Sequence, residues 1–496
     1  MAPFRIIWGS IALAIVLIVL LRWTPSSSSL SSIDRPLELF CAAGLKGPVE
    51  AAARDFERIT GQSVQIQFAG SGTLLSNLRV SQRGDLFIPA DNSFVDIGRS
   101  NHLLAEVLPL AQMSAVIVVP KGNPKAIHSI ADLLRDDIRV SLGNPDSVAV
   151  GSITRRALVQ SGQWAALAAQ ATVFKPTVND IANDVKLGAV DAGIIWDATV
   201  ALYPELQAVP VPELAVPRAE VSVCLLRSST QPSVALRFAR FLAARDQGLR
   251  HFALAGFSVA PGDLWTLRPS VLLFSGAVNR SAIEPTLREF EEREGVEITR
   301  VYNGCGILTA QIHSGQKPDA YFACDVSFMD SVQSQFQPAV ALAETSLVII
   351  TRKGNPSKIS GLPDLARDGL KTGLCNEQQS ALGALTARLL RQQGLFDAVM
   401  KRVAVQTPTA DLLLNQLRSG ALDAAVVYEA SVSQVLASVE TIPLSGPGTL
   451  ATQPYAVGRD SNNALLMQRL MTALQSDLAR ARFVSNGFRW KGPSGD

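Results

Sequence analysis

Cysteine and histidine are scarce in this chain of 496 residues, and neither is placed in a metal-binding pattern. The five cysteines contain no CxxC pair, and an odd, low number in so long a chain does not indicate a disulfide framework. None of the four histidines lies four residues from another, which excludes helix-borne metal motifs. The sequence therefore predicts neither a metal site nor a bound cofactor.

Neither basic nor acidic residues are in clear excess. The 45 basic and 43 acidic residues leave a formal net charge of +2, and no run of five like charges occurs. Proteins that bind nucleic acid usually carry a concentrated basic surface, so we expect no nucleic-acid partner.

The sequence contains no catalytic motif in a structural context that would support it. This holds for GxSxG, SxxK, HExxH, Walker-loop and dinucleotide-binding motifs. The GSGTLL segment at 70–75 lacks the third glycine of a GxGxxG. We therefore predict a protein that is not an enzyme and has no catalytic residues.

Long apolar runs are limited to one segment at the start. Residues 6–21 are uncharged and lie between Arg5 and Arg22, a length close to the roughly 17–25 residues of a spanning helix. No small-residue cleavage site follows, so we predict an uncleaved signal anchor over 1–24, with a cleaved signal peptide as the alternative. Residues 25–35 are a serine-rich tether. The flanking charge favours a single-pass protein of the cell membrane, with its folded part on the extracytoplasmic, periplasmic side.

The rest of the chain repeats itself. The KGNP sequence at 121–124 returns unchanged at 353–356, which is 232 positions later. Further pairs recur at offsets of 231 to 234: Leu39-Phe40 with Leu273-Phe274, Gly70-Ser71-Gly72 with Gly304-Cys305-Gly306, Asp85 and Asp91 with Asp319 and Asp325, Asp191-Ala192 with Asp423-Ala424, and Gly256-Phe257 with Gly487-Phe488. So long a period predicts a duplicated domain, with one module over 36–264 and a second over 268–496.

Within each copy, short apolar strands alternate with amphipathic helices. In the first copy we predict strands at 37–42, 64–68, 85–90, 113–119, 139–142 and 193–196, and helices at 47–58, 70–80 and 234–244. This alternation indicates an α/β fold of mostly parallel sheets with helices on both faces. Ligands bind such sheets beyond the carboxyl ends of the strands, at helix N-termini.

The predicted strand ends are rich in small and hydroxyl-bearing residues and poor in charge. Helix starts of this kind suit a dianionic oxyanion, because backbone N–H groups point at the ligand. The alternative is that Ser71, Thr73 and Thr177 are ordinary helix N-caps.

Several segments resemble the molybdate-binding periplasmic proteins of ABC importers. The similar segments are LELFCAAGLKGPVEAAARDFERITGQSVQIQFAGSGTLLSNL, GDLFIPAD, VSLGNPDSVAVGSITRRAL and GAVDAGIIWDA, within a resemblance that covers 37–260 and, more weakly, 271–490. It implies two tandem two-lobed modules of the type II periplasmic-binding-protein kind after the N-terminal transmembrane helix. The function implied is an extracytoplasmic solute-binding protein of an ABC-type importer, whose cleft between the lobes binds an oxyanion such as molybdate or tungstate. Its partner would be an ABC permease in the membrane.

The resemblance also implies which residues bind the oxyanion. They are Gly44, Ser71, Val150, Val178 and Trp196 in the first copy, and Val278, Cys305, Leu382, Ala410 and Tyr428 in the second. Gly44 replaces a serine of the family, and Trp196 replaces a tyrosine but keeps an N–H donor. Both serines are lost in the second copy, where Cys305 and Tyr428 are the candidate ligand-binding residues.

Two other functions stay open. A membrane-tethered ligand sensor or interaction protein would explain the anchor and a degenerate second cleft. A carrier of a metal cation such as iron, built on the same fold, would use Asp197 and Glu429, which are otherwise ordinary acids at helix starts.

Three cysteines belong to the second copy alone. Cys305, Cys324 and Cys375 are each predicted near a strand end, where the first copy has Ser71, Ala90 and Gly143. They are either small buried residues or a reactive group that forms a disulfide or binds a soft metal. Cys305 begins a predicted helix, so its thiol is expected to be the most acidic of the three.

Overall fold

The computed structural model describes residues 35–216 and 218–493. The predicted signal anchor, 1–24, and all of the predicted tether except Arg35 lie outside these residues. In the part of the chain that is described, no helix has the length and apolar character needed to cross a membrane.

The strands and helices follow nearly the same order in the two copies. The strands are β1 (Leu37–Ala42), β2 (Val64–Ala69), β3 (Leu86–Ile88), β4 (Leu104–Met113), β5 (Ala115–Pro120), β6 (Val140–Gly143), β7 (Ala171–Lys175), β8 (Ala192–Trp196), β9 (Leu206–Val209), β10 (Ala219–Leu226), β11 (Ser258–Val259), β12 (Ser270–Gly276), β13 (Glu297–Asn303), β14 (Ala320–Phe322), β15 (Val340–Arg352), β16 (Thr372–Cys375), β17 (Val403–Thr407), β18 (Ala424–Tyr428), β19 (Val439–Pro443), β20 (Leu450–Val457) and β21 (Arg489–Trp490).

The α-helices are α1 (Lys46–Thr60), α2 (Ser71–Ser81), α3 (Ser93–Ser100), α4 (Ala149–Gln160), α5 (Trp164–Gln170), α6 (Val178–Lys186), α7 (Asp197–Val200), α8 (Pro212–Ala215), α9 (Pro232–Leu242), α10 (Gly248–Leu254), α11 (Arg280–Glu294), α12 (Cys305–His313), α13 (Val326–Asp330), α14 (Ala381–Gln392), α15 (Phe396–Met400), α16 (Ala410–Arg418), α17 (Glu429–Val432), α18 (Ala464–Leu474) and α19 (Asp477–Ser485). Short 3-10 helices lie at Ala43–Leu45, Ala131–Leu134, Ala277–Asn279, Gln333–Gln335 and Leu362–Ala366. Strand β15 stands where the first copy has β4 and β5, and α8 has no counterpart in the second copy.

The described chain divides into two compact units, and the division does not follow the repeat. The first unit runs to Leu104, then from Ala115 to Pro217, and takes up Leu226–Ser228. The second holds Ala105–Ser114, Arg218–Leu225 and everything from Ser229 onward. Helices α9 and α10 of the first copy therefore belong to the same compact unit as the second copy.

The first unit contains one set of parallel strands and a second sheet whose strands run in both directions. Strand β1 pairs in parallel with β2 on one side and β3 on the other. The other sheet has the order β7-β6-β8-β5-β9, in which β6 runs parallel to β7 and β8, and β5 runs antiparallel to β8 and β9. The expectation of mostly parallel sheets is therefore corrected to mixed sheets. An almost wholly buried strand such as β5 is apolar throughout, whichever way it pairs, so its direction could not be predicted.

The second unit is organised around one long strand. Strand β15 continues unbroken for 13 residues, and its first half pairs antiparallel with β20 and β21. Its second half pairs antiparallel with β18 and β19. The first copy has two strands here, β4 and β5, which are interrupted at Ser114.

A buried ion cluster joins helices of the two copies inside the second unit. Arg240 in α9 donates to a carboxylate oxygen of Glu294, the last residue of α11, at 2.9 Å. Arg469 in α18 donates to the same carboxylate at 2.8 Å and lies 3.3 Å from Glu106. Burial alone would raise the pKa of Glu294, but the charges of the two arginines outweigh it and lower that pKa. Removal of any one of these charges would leave its partners buried in apolar surroundings with less compensating charge.

Candidate functional site

The first cleft is the space around the five predicted ligand-binding residues of the first copy, all of which lie in the first unit and are buried. It is closed. The backbone N–H of Gly72, in the first turn of α2, donates to the carbonyl of Ser147 at 2.9 Å. A Cβ atom at Gly70 would lie 2.7 Å from the same carbonyl oxygen and 2.8 Å from that of Pro176. Both glycines therefore permit the two walls to meet, rather than a backbone approach to a ligand.

Three of the five predicted residues come together directly. A Cβ atom at Gly44 would stand 3.0 Å from Cγ2 of Val178 and 3.3 Å from Cδ1 of Trp196, the ring carbon bonded to the indole nitrogen. Val178 is the first residue of α6. Thr177 caps this helix, because its hydroxyl accepts a hydrogen bond from the backbone N–H of Asp180 at 3.2 Å, so the N–H groups of the first two helical residues are the ones left at the helix start. The glycine, a helix N-terminus and the N–H edge of an indole thus enclose one small space.

The other two predicted residues are held close by. The Ser71 hydroxyl accepts a hydrogen bond from the backbone N–H of Ala90 at 3.1 Å, which leaves its own proton available to donate. Val150 lies near the start of α4 and packs against Gly143, where a Cβ atom would be 3.1 Å from its Cγ1.

Two polar contacts bridge the walls of the first cleft. Arg156 of α4 donates to Asp91 at 2.9 Å, and Asp91 is only 7% exposed. The side-chain amide of Asn179 donates to the carbonyl of Ala43 at 3.1 Å. The closed form is therefore stabilised by side chains as well as by the backbone.

The second cleft is defined by the equivalent residues of the second copy, and it closes in the same way. The backbone N–H of Gly306 donates to the carbonyl of Gln379 at 3.1 Å. Among the residues that line the remaining cavity are Val278, Leu382, Ala410 and Tyr428. The volume open to the centre of a water molecule is about 20 Å³. That is room for roughly one water, so an oxyanion needs the cleft to open.

The mouth of the second cleft carries charges of both signs. Arg280, Arg288 and Arg418 line an open cavity of about 490 Å³ next to it, together with Glu284 and Asp411. Arg288 lies 3.6 Å from Glu284, so part of the positive charge is neutralised. The three arginines align with basic residues of the first copy, which are Lys46, Arg54 and Lys186.

The three cysteines of the second copy do not form a disulfide or a metal site. All five cysteines are buried and free. In the described residues, no group of three or more His, Cys, Asp or Glu side chains is arranged to hold a metal ion. Cys305 instead accepts a hydrogen bond from the backbone N–H of Cys324 at 3.0 Å, which repeats the bond between Ser71 and Ala90. The free thiols contradict the predicted disulfide, and within the described residues no metal-binding group supports the soft-metal site; Cys305 takes the acceptor role that Ser71 has in the first copy.

The pKa of Cys305 is lowered, in the direction predicted, but the cause is a hydrogen bond and not the helix N-terminus. Burial acts to raise the pKa of Cys305, but a hydrogen bond from the Cys324 side chain outweighs it and lowers that pKa. The same hydrogen bond, together with burial, raises the pKa of Cys324 well above its usual value. Burial raises the pKa of Cys375 to about 11.

The candidate cation ligand Asp197 has a local role. One of its carboxylate oxygens accepts a hydrogen bond from the backbone N–H of Ala198, in the first turn of α7, at 2.7 Å. This is the usual behaviour of an acid at a helix start.

Sequence reasoning missed the hydroxyl of Thr199, which is fully buried beside Gly44. The repeat contained a signal for it. Thr199 and Ser431 occupy the same position in the two copies, three residues after Trp196 and Tyr428, and both are hydroxyl residues.

Comparison with known proteins agrees with the duplication. Residues 37–258 and 271–489 each match the family described as bacterial extracellular solute-binding proteins. A binding protein of Haemophilus influenzae is 26% identical over 222 residues, which are 45% of this chain and 90% of the relative. The molybdate-binding protein ModA of Mycobacterium tuberculosis is 29% identical over 227 residues, covering 45% of this chain and 85% of the relative. The periplasmic molybdate-binding protein of Azotobacter vinelandii superposes with a TM-score of 0.40 at 18% identity, over 45% of this chain and 100% of that one.

Proposed function

Because the chain belongs to the bacterial extracellular solute-binding protein family, we propose that it binds a small oxyanion, such as molybdate or tungstate, in its first cleft. The observation that carries this proposal is the meeting of Gly44, Val178 and Trp196 around one buried space. A helix N-terminus and an indole N–H are neutral donors, which suit an anion of fixed charge. The relatives named for molybdate binding support the choice of anion.

The proposal extends to the partner and the location. As in other binding proteins of ABC importers, the loaded cleft would deliver its ligand to an ABC permease in the membrane. The predicted signal anchor would hold the folded part on the extracytoplasmic side. Protease added to intact cells or spheroplasts should then degrade the chain, while a cytoplasmic marker survives.

Calorimetric titration of the full-length chain with molybdate, tungstate, sulfate and ferric ion tests the ligand class. We expect molybdate and tungstate to bind and ferric ion not to bind. The matched variant is Gly44→Phe, whose side chain is larger than that of Val278, the equivalent residue of the second copy, and overfills the space beside Val178 and Trp196. It should abolish binding in the first cleft, whereas Gly47→Ala, which has open surroundings, should not.

The two alternatives give different outcomes. Binding of ferric ion with no oxyanion binding would establish the cation carrier. Failure of the full-length chain to bind any of these ligands would favour the tethered sensor or interaction protein.

A further inference from the structure

Thr199 carries a hydroxyl for which the closed first cleft offers no partner. The residue belongs to α7 and is fully buried. Within the described residues, its Oγ1 atom makes no hydrogen bond. A buried hydroxyl without a partner gives up its bonds to water and gains none, so each such group calls for an explanation.

The position of this hydroxyl supplies the explanation. Oγ1 of Thr199 lies 3.6 Å from the point where a side chain at position 44 would begin. That point is also the meeting place of Val178 and Trp196. Because Gly44 contributes no side chain, the hydroxyl faces the space that a ligand would fill.

The second copy repeats the arrangement. Ser431 occupies the position of Thr199, and its Oγ atom is buried and makes no hydrogen bond within the described residues. The hydroxyl of Tyr428 is buried and unpaired in the same sense. Both residues line the small cavity beside Val278. The two copies differ at most of their cleft positions, yet each has an unpaired hydroxyl at the position of Thr199 and Ser431.

We propose that the hydroxyl of Thr199 binds the oxyanion of the first cleft, and that Ser431 does so in the second. This inference rests on the proposed function and adds a ligand-binding residue to it. When the cleft is loaded, the Thr199 hydroxyl donates a hydrogen bond to an oxygen of the anion. Because the hydroxyl is neutral, no charged side chain is buried beside the anion. Gly44 has no side chain that could bind the anion, and the side chain of Thr199, from another wall of the cleft, takes this role.

The test compares Thr199→Val, which keeps the shape and removes the hydroxyl, with Thr199→Ser, which keeps the hydroxyl. Each full-length variant is titrated with sodium molybdate, and its urea unfolding is measured without ligand. Thr199→Val should weaken molybdate binding on the order of 10- to 100-fold, because a hydrogen bond to a charged group is lost. Thr199→Ser should bind within a few-fold of the wild type.

Ligand-free stability separates a binding role from a structural one. Removal of an unpaired buried hydroxyl should leave the urea midpoint unchanged or raise it. A lower midpoint for Thr199→Val would mean that the hydroxyl serves the fold, for example through a bound water, and would overturn the inference.

The second cleft provides a parallel test. Ser431→Ala should weaken the second class of molybdate sites and leave the first intact. The matched control is Ser433→Ala, since the Ser433 hydroxyl already donates to the carbonyl of Ala430. If the wild type binds neither molybdate nor tungstate, the proposed function and this inference fall together. If it binds and Thr199→Val binds equally well, this inference alone falls.

Discussion

The Ser71 hydroxyl accepts a hydrogen bond from the backbone N–H of Ala90 at 3.1 Å. In the second copy, the Cys305 thiol accepts the equivalent bond from Cys324. The side chain at this position therefore holds a helix start against the end of a neighbouring strand in both copies. Only the hydroxyl keeps a strong donor for a ligand, because a thiol donates weakly. Holding the fold and binding the anion can thus be separated by mutation.

Ser71→Ala should impair both functions. The buried N–H of Ala90 would lose its acceptor, which costs about 1–3 kcal/mol of unfolding free energy, and molybdate binding would weaken by about 1.5–3 kcal/mol. Ser71→Cys should restore most of the stability but not the affinity. Urea unfolding and calorimetry measure the two effects. Wild-type affinity in Ser71→Cys would remove the Ser71 hydroxyl from the set of ligand donors.

Arg156→Met should weaken the closed form of the first cleft. Arg156 is 47% exposed, so its pair with Asp91 is expected to contribute about 0.2–1 kcal/mol, which corresponds to a loss of affinity of about 1.4- to 5-fold through faster release. Stopped-flow fluorescence measures the release rate. The control is Arg155→Met. Arg155 lies 2.7 Å from Asp146, a residue close to it in the sequence, so this ion pair does not bridge the two walls. Equal effects of the two variants would show that the bridge to Asp91 does not stabilise closure.

Alkaline pH should destabilise the second copy through Cys375. Burial raises the pKa of this thiol to about 11, whereas an unfolded thiol titrates near about 8.5–9. The contribution is fully present below that lower pKa and is lost as pH rises toward 11, because only the unfolded chain releases its proton in this window. The total is about 3 kcal/mol. Cys375→Ala should flatten the decline of urea stability between pH 8.5 and 11; an identical slope in the variant would contradict this account.

Arg240→Met should be among the most destabilising substitutions in the second unit. It would leave the fully buried Glu294 with one guanidinium partner fewer, and breaking a buried ion pair costs about 3–5 kcal/mol. Arg237→Met, on the same helix but in no ion pair within the described residues, is the control. Urea unfolding measures both. A loss below about 1 kcal/mol would mean that Arg469 alone suffices for Glu294.

Separate fragments test the module boundary. We predict that 34–264 and 268–496 each fold once residues 1–33 are removed, because each contains a full set of strands. Each should be less stable than the intact chain, since the cut separates Arg240 from Glu294. Circular dichroism checks folding. A fragment without secondary structure would place the boundary elsewhere. Fragments as stable as the intact chain would show that the contact between Arg240 and Glu294 does not stabilise it.

The sequence predicted the elements that repetition and apolar patterning define, such as β1 at Leu37–Ala42. It missed β4, because a strand that contains Glu106 and Pro109 carries a weak strand signal. It also predicted one common site for Gly44, Val178 and Trp196, and the structure brings these three residues together. That they bind a ligand stays a prediction. It could not show that Gly70 and Gly72 face carbonyl oxygens of the opposite wall, or that the Thr199 hydroxyl is unpaired. These facts depend on contacts more than 70 residues apart, which local patterns do not encode.

The unbroken course of β15 has a mechanical consequence. Both halves of β15 are hydrogen-bonded to neighbouring strands, with one irregularity between Ala341 and Ala343, so opening of the second cleft should distort these ladders. In the first copy, the break at Ser114 separates β4 from β5. Hinge motions in proteins span microseconds to milliseconds, and we expect the second cleft to open and exchange its contents more slowly than the first.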